Sequence, residues 1–136
     1  MPWISEAAAG SFAATIWLQV FPGPRADWFV DGTFASLRSA TYRVSEQSNR
    51  VAVRLQGPGL CRCDRRELLS EGLVSGAVEV PPEGQPLIFL ADHPTTGGYP
   101  AVAVVDPADL PKLAQARPGT LVRFLPCTLS GPLAQT

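Results

Sequence analysis

The chain has 136 residues, the length of one domain, and 46% of them are hydrophobic, enough for a core. Its formal net charge is −1, Lys112 is its single lysine and its arginines are scattered, so no basic stripe marks a nucleic-acid surface. No apolar run approaches the ~20 residues of a membrane span, and no basic region precedes an apolar one at the N-terminus, so neither a membrane segment nor a secretory leader is expected.

In chain order, residues 1–14 are small and weakly patterned. The run Ala7-Ala8-Ala9-Gly10-Ser11 reads as a linker, which implies a further segment ahead of it. Thr15 to Phe21 alternates, with Ile16, Leu18 and Val20 on one face and Trp17, Gln19 and Phe21 on the other, the mark of a strand. Pro22-Gly23-Pro24 ends it. Asp27 offers an N-cap to a short helix carrying Val30, Phe34 and Leu37 on one face. Strands over Ala40–Ser45 and Val51–Leu55 flank the polar loop 46–50, and Gly57-Pro58-Gly59 breaks the chain. Asp64 to Ser70 is charged and ambiguous. Gly76–Val80 is a strand and Pro81-Pro82-Glu83-Gly84 a turn. Pro86–Ala91 and Pro100–Val105 are continuous apolar runs, as in strands covered on both faces. The polar, glycine-rich segment 92–99 separates them.

A second short helix follows, capped by Asp109, with Pro111 in its first turn and Leu110, Leu113 and Ala114 on its apolar face. Arg117-Pro118-Gly119-Thr120 has the order of a type II turn. Leu121–Cys127 is the last strand, and residues 130–136 read as a frayed tail. Seven short strands and two short helices without an internal repeat point to a mostly β, closed barrel over residues 15–129, since closure removes sheet edges.

Charged residues are 17% of the chain, against about 25% in an average soluble domain, which hints at surface kept for burial against a partner. Cys61, Cys63 and Cys127 are odd in number and lack secreted-type spacing, so a reduced, cytoplasmic compartment is expected. Their spacing does not suit the common zinc pairs, and no metal is expected.

Three polar groups remain. Thr95-Thr96-Gly97-Gly98-Tyr99-Pro100 sets two hydroxyls beside unshielded amides. Glycines with φ > 0 can build an anion-binding nest there, or the segment is a turn between two core strands. Gln47-Ser48-Asn49-Arg50 is either a site where an arginine grips a carboxylate or phosphate, or a solvated hairpin loop. His93, beside Asp92, is the single histidine and more often an exposed residue than a general base. There is no Walker-type loop and no nucleophile elbow.

Nine stretches in order resemble one family. They are Val20-Phe21-Pro22-Gly23-Pro24; Val44-Ser45 with Gln47-Ser48-Asn49-Arg50; Arg54-Leu55-Gln56-Gly57; Arg66-Glu67-Leu68-Leu69-Ser70-Glu71-Gly72; Gly76-Ala77-Val78; Val80-Pro81-Pro82 with Gly84-Gln85-Pro86; Thr95 to Pro100; Ala108-Asp109-Leu110 with Leu113-Ala114-Gln115; and Pro118-Gly119 with Val122-Arg123-Phe124. The chain resembles the C-terminal half of the C-type subunits of 5-oxoprolinase, also called allophanate hydrolase subunit 2 and related to biotin-dependent carboxyltransferases. Departures are Val51-Ala52-Val53 for Met-Gly-Tyr, Glu79 for a common Gln, and Ala101 for a frequent basic residue.

The resemblance implies a cyclophilin-like barrel that works with A-like and B-like 5-oxoprolinase subunits and with the missing N-terminal half of its own polypeptide. Its reaction would be the ATP-dependent opening of 5-oxoproline to glutamate; relatives that carboxylate urea use biotin. In the site so implied, Thr95 and Thr96 donate hydrogen bonds, Arg50 clamps a carboxylate or phosphate, and the Gly97 and Gly98 amides hold an oxyanion. Gln47, Ser48, Asn49, Gln85 and Tyr99 complete it, the two loops lining one cleft. Alone, this half is expected to be inactive. A rival expectation is a non-catalytic binding module or fragment, with exposed aromatics such as Trp28 serving its interface.

Overall fold

Leu18 and Val20 are fully buried while Trp17 is 43% exposed, so the first strand delivers its apolar face to a core as its alternation requires. The computed structural model describes residues 14–63 and 68–127; the linker-like stretch 1–13, the charged stretch 64–67 and the expected tail lie outside the described residues. Nine strands occur among them: β1 (Thr15–Pro22), β2 (Thr41–Val44), β3 (Ala52–Gln56), β4 (Glu71–Gly72), β5 (Ala77–Glu79), β6 (Leu87–Phe89), β7 (Thr96–Gly97), β8 (Ala101–Val105) and β9 (Leu121–Pro126). Two short helices join them, α1 (Thr33–Ser39) and α2 (Leu110–Ala114).

Seven strands form a closed barrel in the order β1-β8-β5-β6-β3-β2-β9, and β9 returns to β1. These are the seven strands expected from the sequence. The β1–β9 pairing is parallel and the others are antiparallel. Leu18, Val44, Leu55, Val78, Ile88, Val102, Val122 and Phe124 fill the interior. Tyr42 packs edge-on to Phe124 at 5.9 Å. Its hydroxyl donates to the Pro58 carbonyl at 2.8 Å, and burial pushes its pKa up to about 12. At the turn before β9, Gly119 takes φ 92° and the Thr120 N–H donates to the Arg117 carbonyl, the type II geometry that glycine adopts without strain.

The structure corrects the first helix. Asp27 lies in a 3-10 turn, Ala26–Trp28, and α1 begins only at Thr33, after Gly32. Gly32 breaks the segment in two, so Val30 falls outside the helix and is 44% exposed, while Leu37 reaches the deep core. Trp28, expected to be exposed, is buried. The guanidinium groups of Arg25 and Arg62 lie over its ring at 5.1 and 5.9 Å, a favourable cation–π arrangement that takes the ring out of solvent.

Pro111 sits in the first turn of α2 as expected, and Asp109 holds the N-cap position without a capping bond. Asp109 instead reaches across the fold. Its Oδ2 accepts from the Gln19 N–H at 2.8 Å and its Oδ1 pairs with Lys112 at 3.1 Å. Removing this buried carboxylate leaves a strand amide without its acceptor, so Asp109→Ala should lower the unfolding free energy by ~1–3 kcal/mol in urea titrations. Lys112→Ala, which removes the half-exposed pair and an exposed bond to the Trp17 carbonyl, should cost less than Asp109→Ala, about 1 kcal/mol.

Candidate functional site

The two-residue strands β4 and β7 form a ribbon apart from the barrel, with Glu71 opposite Gly97 and Gly72 opposite Thr96. The Leu73 N–H extends it by donating to the Thr95 carbonyl at 2.9 Å. The ribbon covers the carboxyl group of Glu79, a side chain only 3% exposed at the end of β5. A Cβ on Gly97 would stand 3.0 and 3.2 Å from the two Glu79 carboxyl oxygens and 3.1 Å from Leu73 Cδ1. Glycine at 97 therefore allows this close approach; a Cβ there would need the Glu79 carboxyl group and Leu73 to give by a few tenths of an ångström. Neither Gly97 nor Gly98 has positive φ, so the expected left-handed nest does not form: Gly97 belongs to paired, extended backbone.

The surroundings of Glu79 set its charge. Burial pushes its pKa up, the Tyr99 N–H bond opposes that, and the charge of Glu71 adds to the rise, leaving it at about 7. Glu71 has its own cation: Arg25 Nε donates to Glu71 Oε2 at 2.6 Å, and Arg25 in turn lies over Trp28. Arg25, Glu71 and Glu79 thus form a polar layer under the Thr95–Tyr99 segment. Thr95, Thr96 and Gly98 above it are exposed.

The Gln47–Arg50 loop stands elsewhere. Ser48 Oγ accepts from the Arg54 N–H at 2.8 Å, and Asn49 Oδ1 accepts from the Val51 and Ala52 N–H groups at 2.8 and 3.1 Å. These two side chains fold the loop, and Arg50 is left facing solvent, its Nε 3.5 Å from Asp92 Oδ2. Arg50 and Asp92 edge a groove of about 370 Å³ whose apolar lining includes Val44, Val53, Leu90 and Leu113. None of Thr95–Tyr99 lines this groove, but Thr95 follows Asp92 by three residues, at most ~11 Å of chain. Gln47 and Gln85 line a smaller hollow of about 150 Å³ with Arg54 and Glu83. Gln85 there braces Gly57 through a reciprocal pair of bonds at 2.9 and 3.0 Å. Asp92 faces Arg50 while the His93 ring contacts the Pro94 carbonyl oxygen. The three thiols are free, and no cluster of three metal-ligating side chains occurs among the described residues.

Residues 3–126 match the family model described as the carboxyltransferase domain, subdomain A and B. The chain belongs to that family. This carboxyltransferase domain is 40% identical over 116 residues to the C subunit of 5-oxoprolinase from Escherichia coli, covering 85% of this chain and 37% of that protein. It is 45% identical over 83 residues to the Haemophilus influenzae protein of the same name, covering 61% of this chain and 27% of that protein. It superposes on the Kluyveromyces lactis urea carboxylase with a TM-score of 0.72 at 26% identity, over 82% of this chain and 11% of that one. The chain therefore spans well under half the length of these relatives.

Within the carboxyltransferase domain, the polar layer was not legible from sequence. Glu79 ends a strand that reads as apolar, and its partners Glu71 and Arg25 are 8 and 54 residues away in the chain. The glycine pair marked the place but not the reason. The layer has a thermodynamic signature. Glu79 has a folded pKa of about 7 against an ordinary 4.5, so the native state binds the proton more tightly. Its contribution to stability is complete below about pH 4.5 and is lost as pH rises through about 7. Between pH 5 and 8 the wild type should lose up to about 3 kcal/mol of unfolding free energy, and Glu79→Gln should flatten that slope. Parallel denaturant titrations across the range check this.

Proposed function

We propose that this domain serves as the C-terminal domain of a C-type 5-oxoprolinase subunit. It would act with A-like and B-like partner subunits, and with the N-terminal half of its own polypeptide, in the ATP-dependent opening of 5-oxoproline to glutamate. The observation that supports this most is the Arg50 groove. It sets one permanently charged guanidinium beside an apolar lining, in a volume of about 370 Å³, which suits a small ring bearing a single carboxylate. Arg50 is held by an exposed pair with Asp92, worth at most about 1 kcal/mol, so a substrate carboxylate can take its place.

In this reading the ring packs on Val53, Leu90 and Leu113 while Arg50 grips the carboxylate. Thr95 and Thr96, on the segment that leaves the groove at Asp92, donate to the ring carbonyl, and the Gly98 amide faces the oxygen that gains charge as water adds to the carbon, while Gly97, paired in the ribbon, holds the segment in place. The ring C–N bond then breaks and the nitrogen takes a proton. Ser48 and Asn49 keep Arg50 in place; Gln47, Gln85 and Tyr99 support the loops around it. Among the described residues the Thr95–Tyr99 segment does not cradle a triphosphate, because Thr96 and Gly97 are committed to the β4–β7 ribbon. ATP would therefore be bound by the assembled complex. The thiols of Cys61 and Cys63 are exposed, which suits a reducing cytoplasm.

The likeness to urea carboxylase favours a second reading, a carboxyltransferase domain serving carboxybiotin. The test is reconstitution with the A-like and B-like partners, followed by ATP-dependent glutamate release. Arg50→Ala should raise KM about tenfold or more, the loss of a charged contact. Thr96→Ala should lower kcat about ten- to a hundredfold, the loss of one donor to the transition state. Unchanged rates in both variants contradict the first reading. Avidin-sensitive carboxyl transfer without glutamate release selects the second. Co-purification with a B-like partner and no turnover of either kind makes the domain a binding module.

A further inference from the structure

The Thr95–Tyr99 loop rests on a carboxyl group to which the reaction above gives no role. Three features tie Glu79 to that loop. The Gly97 backbone lies directly on its oxygens, the Tyr99 N–H donates to it, and Glu71, opposite Gly97 in the ribbon, adds a like charge. Among the described residues, the elements around it supply little else that is charged. Its strand neighbours offer Leu87 on β6 and Ala101 on β8 at the paired positions. From the segment after β1 comes Arg25, which is bonded to Glu71. Arg62 stands at the Trp28 ring. Arg25 and Glu71 cancel, so the described residues directly beneath the loop carry no net charge when Glu79 holds its proton and −1 when it does not.

We propose that Glu79 is a positioning residue whose single proton decides whether the Thr95–Tyr99 loop receives an anion. With the proton present, the underside of the loop is neutral, and the loop's open amides and Thr hydroxyls act unopposed on an oxygen that carries or gains negative charge, while Arg50 holds the substrate carboxylate nearby. With the proton gone, a buried negative charge one backbone layer below repels that carboxylate, and salt screens a buried charge poorly. The loop stays tethered in both states, because a protonated carboxyl keeps a carbonyl oxygen to accept the Tyr99 N–H. The control is therefore electrostatic, with no movement of the ribbon. Burial brings the midpoint near 7, so both states are populated close to neutral pH. The inference deepens the proposed function and rests on its reading of this loop as the anion-facing side of the site.

The test uses the full chain, as wild type and as Glu79→Gln, a neutral isostere that keeps the acceptor for Tyr99. First, the backbone amide resonances of Gly97, Gly98 and Tyr99 are followed from about pH 5 to 8.5 by NMR. They should titrate together with a midpoint near 7 in the wild type and stay flat in the variant. Second, 5-oxoproline and formate are titrated at about pH 6 and pH 8, where both carboxylates are fully ionised. The wild type should bind about tenfold more weakly at the higher pH, and Glu79→Gln should bind within about twofold at both. Amides that do not titrate, a pH dependence that survives in Glu79→Gln, or no carboxylate bound at either pH overturns the inference. Formate binding with the expected pH dependence, alongside no binding of 5-oxoproline, upholds the inference and removes the substrate reading, so the two fail separately.

Discussion

Closure of the barrel rests on one parallel pairing, β1 against β9, registered from Thr15 opposite Leu121 to Val20 opposite Pro126. Without it the sheet would end in two long unpaired edges. Neighbouring contacts brace the seam. Asp109 holds the Gln19 amide, the Lys112 ammonium donates to the Trp17 carbonyl, and Arg123 lies over the outward Trp17 ring at 5.1 Å. Once closed, the interior is filled by side chains such as Leu18, Ile88 and Phe124. Polar chemistry has to be carried outside the barrel, on loops and on the β4–β7 ribbon.

The two outer sites obey different physics. Arg50 is exposed, its charge is permanent, and its present partner is weak, so it is free to exchange one carboxylate for another. Glu79 is buried with no cation paired to it among the described residues, and its charged form is disfavoured by desolvation. Gly97 allows this close burial, since a Cβ there would crowd the carboxyl oxygens at 3.0 and 3.2 Å. In the proposed site, a cation for grip and a protonatable acid beneath the neighbouring loop would together respond to both ligand charge and pH.

The barrel was legible in the sequence because its strands alternate or run apolar between prolines and glycines. The family was legible through nine short motifs in order. What escaped has identifiable reasons. A ribbon of two residues per strand, Glu71–Gly72 with Thr96–Gly97, has too few residues to show a period. The helix expected from Asp27 is cut short by Gly32, and Trp28 reads as surface because the guanidinium groups that cover it come from flanking and distant positions. Thr95 to Tyr99 stands out by composition, yet its glycines serve close approach to Glu79 and not a left-handed nest, a distinction that only tertiary contact reveals. Ser48, Asn49 and Gln85 have polar side chains suited to ligands, and the structure shows them bonded to nearby backbone.

The central claim is that a small carboxylate meets Arg50 in the groove beside Asp92, with the Thr95–Gly98 segment facing it. The most direct measurement is a map of backbone amide shifts in the full chain as 5-oxoproline is added near pH 6. The account predicts one contiguous patch containing Arg50, Asp92 and residues 95–98. Shifts centred on the outer face of β1 and β9, around Trp17 and Leu125, or no shifts at all, would contradict it.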